Sequence, residues 1–306
     1  MMRIELYKAC DLLRPLLRAM PRGFGRAMAL LGAGMQHDNE WQTVPNRIRE
    51  FWDPGLCAHV TADLGECCSR WHYYSGRYWD WATQEILRSH LEPGDTFIDV
   101  GAHRGIHTLL ASRLVGPSGR VLAFEPNPQT FAILSAHVFR NGVRNCALFN
   151  MGLADREEVL TLRAPRKDSS QCTFRPVQSA SMGAAVRVVA ADSVPELRDL
   201  GGRVFIKVDV EGYEHKVLRG MPCLLSRNEV RLLVEVTPGW LVETGASAEQ
   251  LFSTLYSYGF EALLPVLYWS LLMRPVVHFE PLASPLPDQH DVLFIKNALP
   301  PYLGRP

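Results

Sequence analysis

Between residues 92 and 296 the chain alternates short apolar runs with stretches where apolar residues recur every three or four positions. The runs at 96–100, 121–125, 146–151, 204–210, 230–236, 260–264 and 291–296 are brief, nearly continuous and rich in Val, Ile, Leu and Phe. Strands covered on both faces require that pattern. Between them, Ile106, Leu109, Leu110 and Leu114 fall at helical spacing, as do Phe131, Leu134 and Val138. Further helices are expected through Val217 and Leu218 and over 247–258, with Asp192 capping a short one. Strands alternating with helices predict a doubly wound α/β fold, mostly parallel. The last two strands, with only the long loop 266–290 between them, are placed to pair antiparallel. A second strand pair, 159–162 with 186–189, is expected around a polar loop at 164–183.

Residues 1–75 lack that regularity and read as a helical or irregular extension to a domain over 76–306. Ile4, Leu13, Leu16, Leu17 and Met20 form one stripe among Arg3, Lys8, Arg14 and Arg18. A basic amphipathic helix can lie on a membrane surface, but this stripe is expected to pack on the rest of the protein. An aromatic group at Trp71, Tyr73, Tyr74, Tyr78, Trp79 and Trp81 is expected to cap the sheet, or else to line an acceptor pocket.

Composition narrows the function. The 32 basic and 32 acidic residues cancel, so the broad positive field of a nucleic-acid binder is absent. The 7 cysteines contain no CxxC pair and are odd in number, which suits a reducing compartment better than a disulfide framework or a zinc site. No apolar run approaches the ~20 residues that span a bilayer, and arginines interrupt the first thirty residues where a secretory segment needs an unbroken apolar core. The expected location is the cytoplasm.

Chemistry gathers at the strand ends, where doubly wound sheets bind ligands. Each expected strand of the main sheet stops near an acid: Asp99, Glu125, Asp155, Asp209 and Glu235. Asp99 opens the turn Asp-Val-Gly101-Ala-His103-Arg-Gly105, where missing Cβ atoms at Gly101 and Gly105 are expected to let a ligand lie against backbone. Glu125 follows at the spacing that suits a carboxylate accepting both hydroxyls of a ribose. Nicotinamide dinucleotides ask for glycine where this chain has His103, because the pyrophosphate must approach there. A ligand without phosphates, carrying a sulfonium and an ammonium, suits a ring of acids better. S-adenosylmethionine is such a ligand.

Asp99 to Gly105, Phe124-Glu-Pro-Asn127 and Ile206-Lys-Val-Asp-Val-Glu-Gly-Tyr-Glu214 resemble the three signatures of the FkbM-type methyltransferases. The likeness runs over about 76–297; only His103-Arg104 departs, where the family has smaller or aliphatic residues. It implies a Rossmann-like sheet with an antiparallel last strand and O-methylation of a sugar or secondary metabolite. By that resemblance Asp99, Gly101 and Gly105 cradle the methionine part, Glu125 the ribose and Asp155 the adenine amino group. His103 is counted with the cofactor site, its role open.

A hydroxyl acceptor needs a nearby proton acceptor. The candidates are Asp209, Glu211 and His215. Asp209 and Glu211, either side of Val210, are expected to face opposite ways, with Asp209 at the site and Glu211 available to cap the next helix. Lys207 is expected to pair with a neighbouring acid. Asp209, Glu211 and Glu235 together could take a hard divalent cation, although no metal is expected. The loops 164–183 and 266–290 are candidates for a lid that selects the acceptor, a small molecule or glycan. The rival readings are a nicotinamide-dependent oxidoreductase or epimerase, and a non-catalytic cofactor-binding subunit; oligomeric state is open.

Overall fold

Phe97, Ile98 and Val100 are each at most 1% exposed, and in the computed structural model the strand that carries them, β3 (Thr96–Val100), lies in the middle of an eight-stranded sheet. The structure describes residues 4–19, 41–163, 174, 183–269 and 275–296. They fall into two compact units, one of residues 1–86 with 267–276, the other of 87–266 with 277–306.

In the larger unit β3, β4 (Arg120–Phe124), β5 (Cys146–Phe149), β9 (Val204–Val208) and β10 (Val230–Val236) run parallel. β13 (His290–Ile295) is antiparallel to both β10 and β11 (Glu261–Trp269), as expected for the last strands. With β12 the strand Pro275–Pro281, the order is β12-β11-β13-β10-β9-β3-β4-β5, so the winding reverses between β3 and β9. That reversal opens a crevice at the carboxyl ends of the two strands. One face of the sheet is sealed by Ile98, Leu122, Phe124, Ile206, Val208 and Val234, packed with Val217, Leu218, Leu251 and Phe252.

The expected third strand, 146–151, divides. β5 stops at Phe149, and β6 (Gly152–Ala154) leaves for a separate three-stranded sheet with β8 (Ala184–Ala190) and β7 (Glu158–Leu162). The expected 159–162/186–189 pair is the antiparallel β7/β8 ladder. The stretch 266–290 is not one loop: β11 continues to Trp269 and β12 (Pro275–Pro281) forms the sheet's edge. Its prolines suppress a strand reading, yet an edge strand tolerates them because half its amides need no partner. Of the 164–183 loop, only Phe174 and Gly183 are among the described residues. Asp192 sits in a single 3₁₀ turn, and its carboxylate accepts from the Cys223 amide at 3.0 Å, so it caps the neighbouring helix Pro222–Leu225.

The smaller unit holds an element the sequence pattern did not suggest, the hairpin of β1 (Ile48–Asp53) and β2 (Ala58–Asp63). It packs with helices α1 (Ile4–Ala19) and α2 (Cys67–Ser75). Tyr73 and Tyr74 are its core: Tyr74 meets Trp41 at 6.0 Å, and Tyr73 meets Phe51 edge-on at 5.5 Å. Among the described residues no helix is long and apolar enough to cross a membrane.

Helix α1 inverts the expected orientation. Its polar side faces inward: Asp11 accepts from the Tyr74 hydroxyl at 3.1 Å, and Arg14 donates to the Tyr73 carbonyl at 3.1 Å and stacks 3.8 Å over that ring. Arg18 donates to the Trp52 carbonyl at 3.1 Å. Leu13 and Leu16, two of the five residues of the expected packing stripe, are exposed and Leu17 is half-buried; Ile4 has no described side chain and Met20 lies outside the described residues.

One buried polar pair anchors this unit. Asp53 meets the His72 ring at 2.5 Å and accepts from the amides of Gly55 and Leu56 at 2.7 and 3.2 Å. Burial alone would raise the Asp53 carboxyl, but the His72 bond and charge and the two amides hold it below the usual carboxylate range. Asp53→Ala takes the acceptor from three donors at once and is expected to cost about 3 kcal/mol at neutral pH. Because the folded-state pKa is depressed, that contribution is present above the ordinary carboxylate pKa and fades as pH falls through the folded value. Denaturant unfolding of both proteins along a pH series measures this; equal midpoints at neutral pH would remove Asp53 from the fold's supports.

Candidate active site

β3 ends because Gly101 takes φ +83, which turns the chain across the end of β4. The amides of Gly101 and Ala102 both donate to the Phe124 carbonyl at 3.0 Å. His103 is left-handed at φ 49, a costly setting for a side-chain residue. Its amide donates to Glu125 Oε2 at 2.8 Å. Gly105 (φ +79) then starts helix α4 (Ile106–Val115), where α3 is the earlier helix Trp81–His90.

The two glycines act differently from the expectation. A Cβ on Gly101 would lie 1.9 Å from the Asp209 carbonyl oxygen, and one on Gly105 would lie 2.3 Å from Leu134 Cδ1. Both spaces are filled by protein. Gly101 lets two strand ends meet, and Gly105 lets α4 approach the next helix, α5 (Pro128–Arg140).

Glu125 closes the turn from the β4 side. One carboxylate oxygen holds the His103 amide and the other the Asn127 amide, both at 2.8 Å. Burial pushes its pKa up to about 7; the two amide bonds pull against that, and the charges of Asp99 and Asp209 add to it. These three acids from β3, β4 and the end of β9 therefore share one electrostatic field. Asp99 is 1% exposed and accepts from the Thr108 hydroxyl at 2.6 Å, while its Oδ1 is buried with no hydrogen-bond partner. The amides of Gly101 and Ala102 go to Phe124, that of His103 to Glu125 and that of Gly105 to the Ala102 carbonyl, none of them to Asp99.

On β9 Lys207 is buried and donates to Asp209 at 2.7 Å, the expected pairing with a neighbouring acid. The Asp209 side chain remains 32% exposed. Burial would raise its carboxyl, but the charge and bond of Lys207, then His107, then a hydrogen bond from Glu235 hold it below the ordinary range. Glu235, at the end of β10, is pushed up to about 10 by burial and by the charges of Asp209, Glu211 and Asp291, against a 2.6 Å bond from Gln289. At neutral pH Glu235 therefore carries a proton and Asp209 a charge.

Glu211 does not face away from Asp209. Carboxylate oxygens of Asp209, Glu211 and Glu235 all lie within 4.8 Å of one another. Residues two apart on extended chain share a face, and the left-handed turn at Glu211 (φ 54) sets its direction. Such a trio can take a hard cation, although the Lys207 ammonium already neutralises one member. The helix-entry role falls instead to Glu214, whose buried carboxylate accepts from the amides of Gly212 and Val210 at 3.0 and 3.3 Å and is pushed up to about 7 by burial. His107, on the first turn of α4 and among the charges that act on Asp209, also escaped the sequence reading; the only signal was its place just after the glycine turn, where the helix begins.

Asp155 and His215 form a second group. Asp155 follows β6, 3.8 Å from Arg219, and contributes to the field at His215. His215 is lowered by burial first and then by Lys216 and Arg219.

Comparison with known proteins places the sequence in a family. The chain is 31% identical over 160 residues to a hexuronic acid methyltransferase, AglP, of Haloferax volcanii, covering 51% of this chain and 63% of that protein. It is 29% identical over 150 residues to Methyltransferase 1 of Beauveria bassiana, covering 42% and 59%. The matches thus span less than two thirds of either relative. A solved structure of a methyltransferase FkbM from Methylobacillus flagellatus superposes at a TM-score of 0.43 with 16% identity, over 83% of this chain and 57% of that one. The sequence model of the methyltransferase FkbM domain matches residues 99–262, from Asp99 of the glycine turn to Ala262 in β11, and the chain belongs to that family.

Proposed function

We propose that this protein transfers the methyl group of S-adenosylmethionine to a hydroxyl of a sugar or small metabolite, with uronic acids the first acceptors to try. The observation that carries the reading is the convergence of Asp99, Glu125 and Asp209 on the glycine turn where the sheet's winding reverses. An acid-lined crevice attracts a sulfonium and an ammonium and repels a pyrophosphate. The residues fit the donor: Asp99 Oδ1 is a buried acceptor with no partner, and the Glu125 oxygens keep lone pairs beyond the one amide each holds. When bound, the donor supplies a methyl carbon already activated by positive sulfur. Uronic acids are chosen because the Haloferax relative is named for them.

In this reading Asp209 orients the acceptor hydroxyl. Its low pKa is no obstacle, because an oxygen gaining a methyl group becomes a strongly acidic oxonium, from which even a weak carboxylate base takes the proton. Neutral Glu235 donates to Asp209 and keeps that acceptor aimed. Calorimetry separates the rivals: binding of S-adenosylhomocysteine without NAD supports the proposal, and tight NAD binding with none of S-adenosylhomocysteine overturns it.

Glu125 gives that experiment a pH signature. Its pKa of about 7 means that it is largely protonated in the free protein below neutrality. Ribose hydroxyls donate to the ionised form, so binding expels the proton. Affinity for S-adenosylhomocysteine is therefore expected to rise up to about tenfold per pH unit below about pH 7 and to level above it. Calorimetry in buffers of different ionisation enthalpy reads the released proton. A flat affinity across that range would take Glu125 away from the ribose.

A further inference from the structure

Glu235 meets β9 on one side and β13 on the other. Along β10, Val234 and Val236 pack into the sealed core, so Glu235 points to the opposite face of the sheet; Asp209 follows Val208 in the same way after β9. In the antiparallel ladder Glu235 stands directly across from Asp291. Gln289, two residues before Asp291, is therefore its diagonal neighbour on that face, within reach of a long side chain. From an exposed position its amide Nε2 donates to Glu235 Oε1 at 2.6 Å.

That bond bears on where the Glu235 proton sits. Carboxylate oxygens of Asp209, Glu211 and Glu235 lie within 4.8 Å of one another, with Asp291 across the ladder, and like charges that close do not all ionise. Against burial, the Lys207 ammonium, 2.7 Å away, and then His107 hold Asp209 ionised, which leaves Glu235 as the protonated partner. A neutral carboxyl group has one proton and two oxygens that can carry it. The oxygen that accepts an N–H is the carbonyl oxygen, so the bond from Gln289 reserves Oε1 and leaves the proton on Oε2, free to be donated to Asp209. We propose that Gln289 is a positioning residue: it fixes which oxygen of Glu235 carries the proton, and through that bond the aim of Asp209 at the acceptor hydroxyl. The catalytic consequence rests on the methyl-transfer reading; the placement of the proton does not.

Infrared difference spectroscopy of the free, full-length protein reads the proton directly. A carboxyl C=O stretch that disappears in E235Q is expected, and Q289L is expected to move it to higher frequency, because an N–H bond to the carbonyl oxygen weakens that C=O bond. Absence of the band, or a band that Q289L leaves in place, overturns the proposal. Kinetics supply the second readout. Q289L is expected to lower kcat about 3- to 10-fold, with the acceptor KM, S-adenosylhomocysteine affinity and melting temperature unchanged, as for one hydrogen bond lost from an exposed side chain. Q289E keeps the size but replaces the donor by an acceptor, which draws the Glu235 proton to Oε1; a fall of about 10- to 100-fold is expected. A residue that only fills space gives the reverse order, and that order overturns the proposal. So does an acceptor KM that rises while kcat holds, since Gln289 then touches the acceptor itself. The expected infrared shift in a protein that transfers no methyl group would sink the methyl-transfer reading and leave the proton placement standing.

Discussion

Asp209→Asn is expected to slow methyl transfer by about 10²- to 10⁴-fold, the range for removing a positioned proton acceptor, while affinity for S-adenosylhomocysteine stays within about threefold, well under 1.4 kcal/mol. The substitution is isosteric, and its amide oxygen still accepts from Lys207, so the buried ammonium is not abandoned. What is lost is the negative charge that the Lys207, His107 and Glu235 contacts preserve. The assay is transfer of labelled methyl to the uronic acid panel, run beside calorimetry. Unchanged turnover would remove Asp209 from the chemistry. Turnover and affinity falling together would assign it to holding the donor. Lys207→Met is the companion variant: it leaves Asp209 beside Glu235 without the ammonium, so its carboxyl should rise and the acid limb of the rate profile should move to higher pH.

Gly101→Ala is the second large effect. Its Cβ would sit 1.9 Å from the Asp209 carbonyl oxygen, a backbone atom that cannot swing aside as the end of a side chain can. The φ of +83 adds its own penalty for any side chain. A loss of about 3 kcal/mol or more is expected, with donor affinity lost as the turn is displaced. Gly105→Ala meets only the flexible end of Leu134, at 2.3 Å, so about 1–2 kcal/mol is expected, mainly from its left-handed backbone. Thermal melting ranks the two variants. If Gly101→Ala melted with or above Gly105→Ala, the contact between the β3 turn and the β9 end would not be the tight one described.

Much of the larger unit was legible because its strands are buried on both faces. Such strands leave uninterrupted apolar runs that no surface element imitates, as Thr96–Val100 and Val204–Val208 show. The acids at their ends were legible for the same reason: a carboxylate closing an apolar run marks the point where the chain leaves the core. The edge strand Pro275–Pro281 and the hairpin of β1 and β2 were not legible. Edge and two-stranded pairings leave amides and side chains in water, so proline and polar residues are tolerated and the alternation blurs.

The sequence by itself determined the order of the buried parallel strands and the helices between them, the glycines at 101 and 105, the acids at 99, 125 and 209, and the pairing of Lys207, because each follows from local periodicity or short spacing. Only the tertiary structure decided who shares a site. It brought Glu235 to Asp209 from the adjacent strand β10 and turned Glu211 toward both, and it sent Asp155 with β6 toward His215 and Arg219. It also filled the glycine spaces with Asp209 and Leu134 and turned the leucines of α1 outward. Those outcomes depend on which strands become neighbours and which polar groups find partners, and residues far apart in the chain settle that jointly.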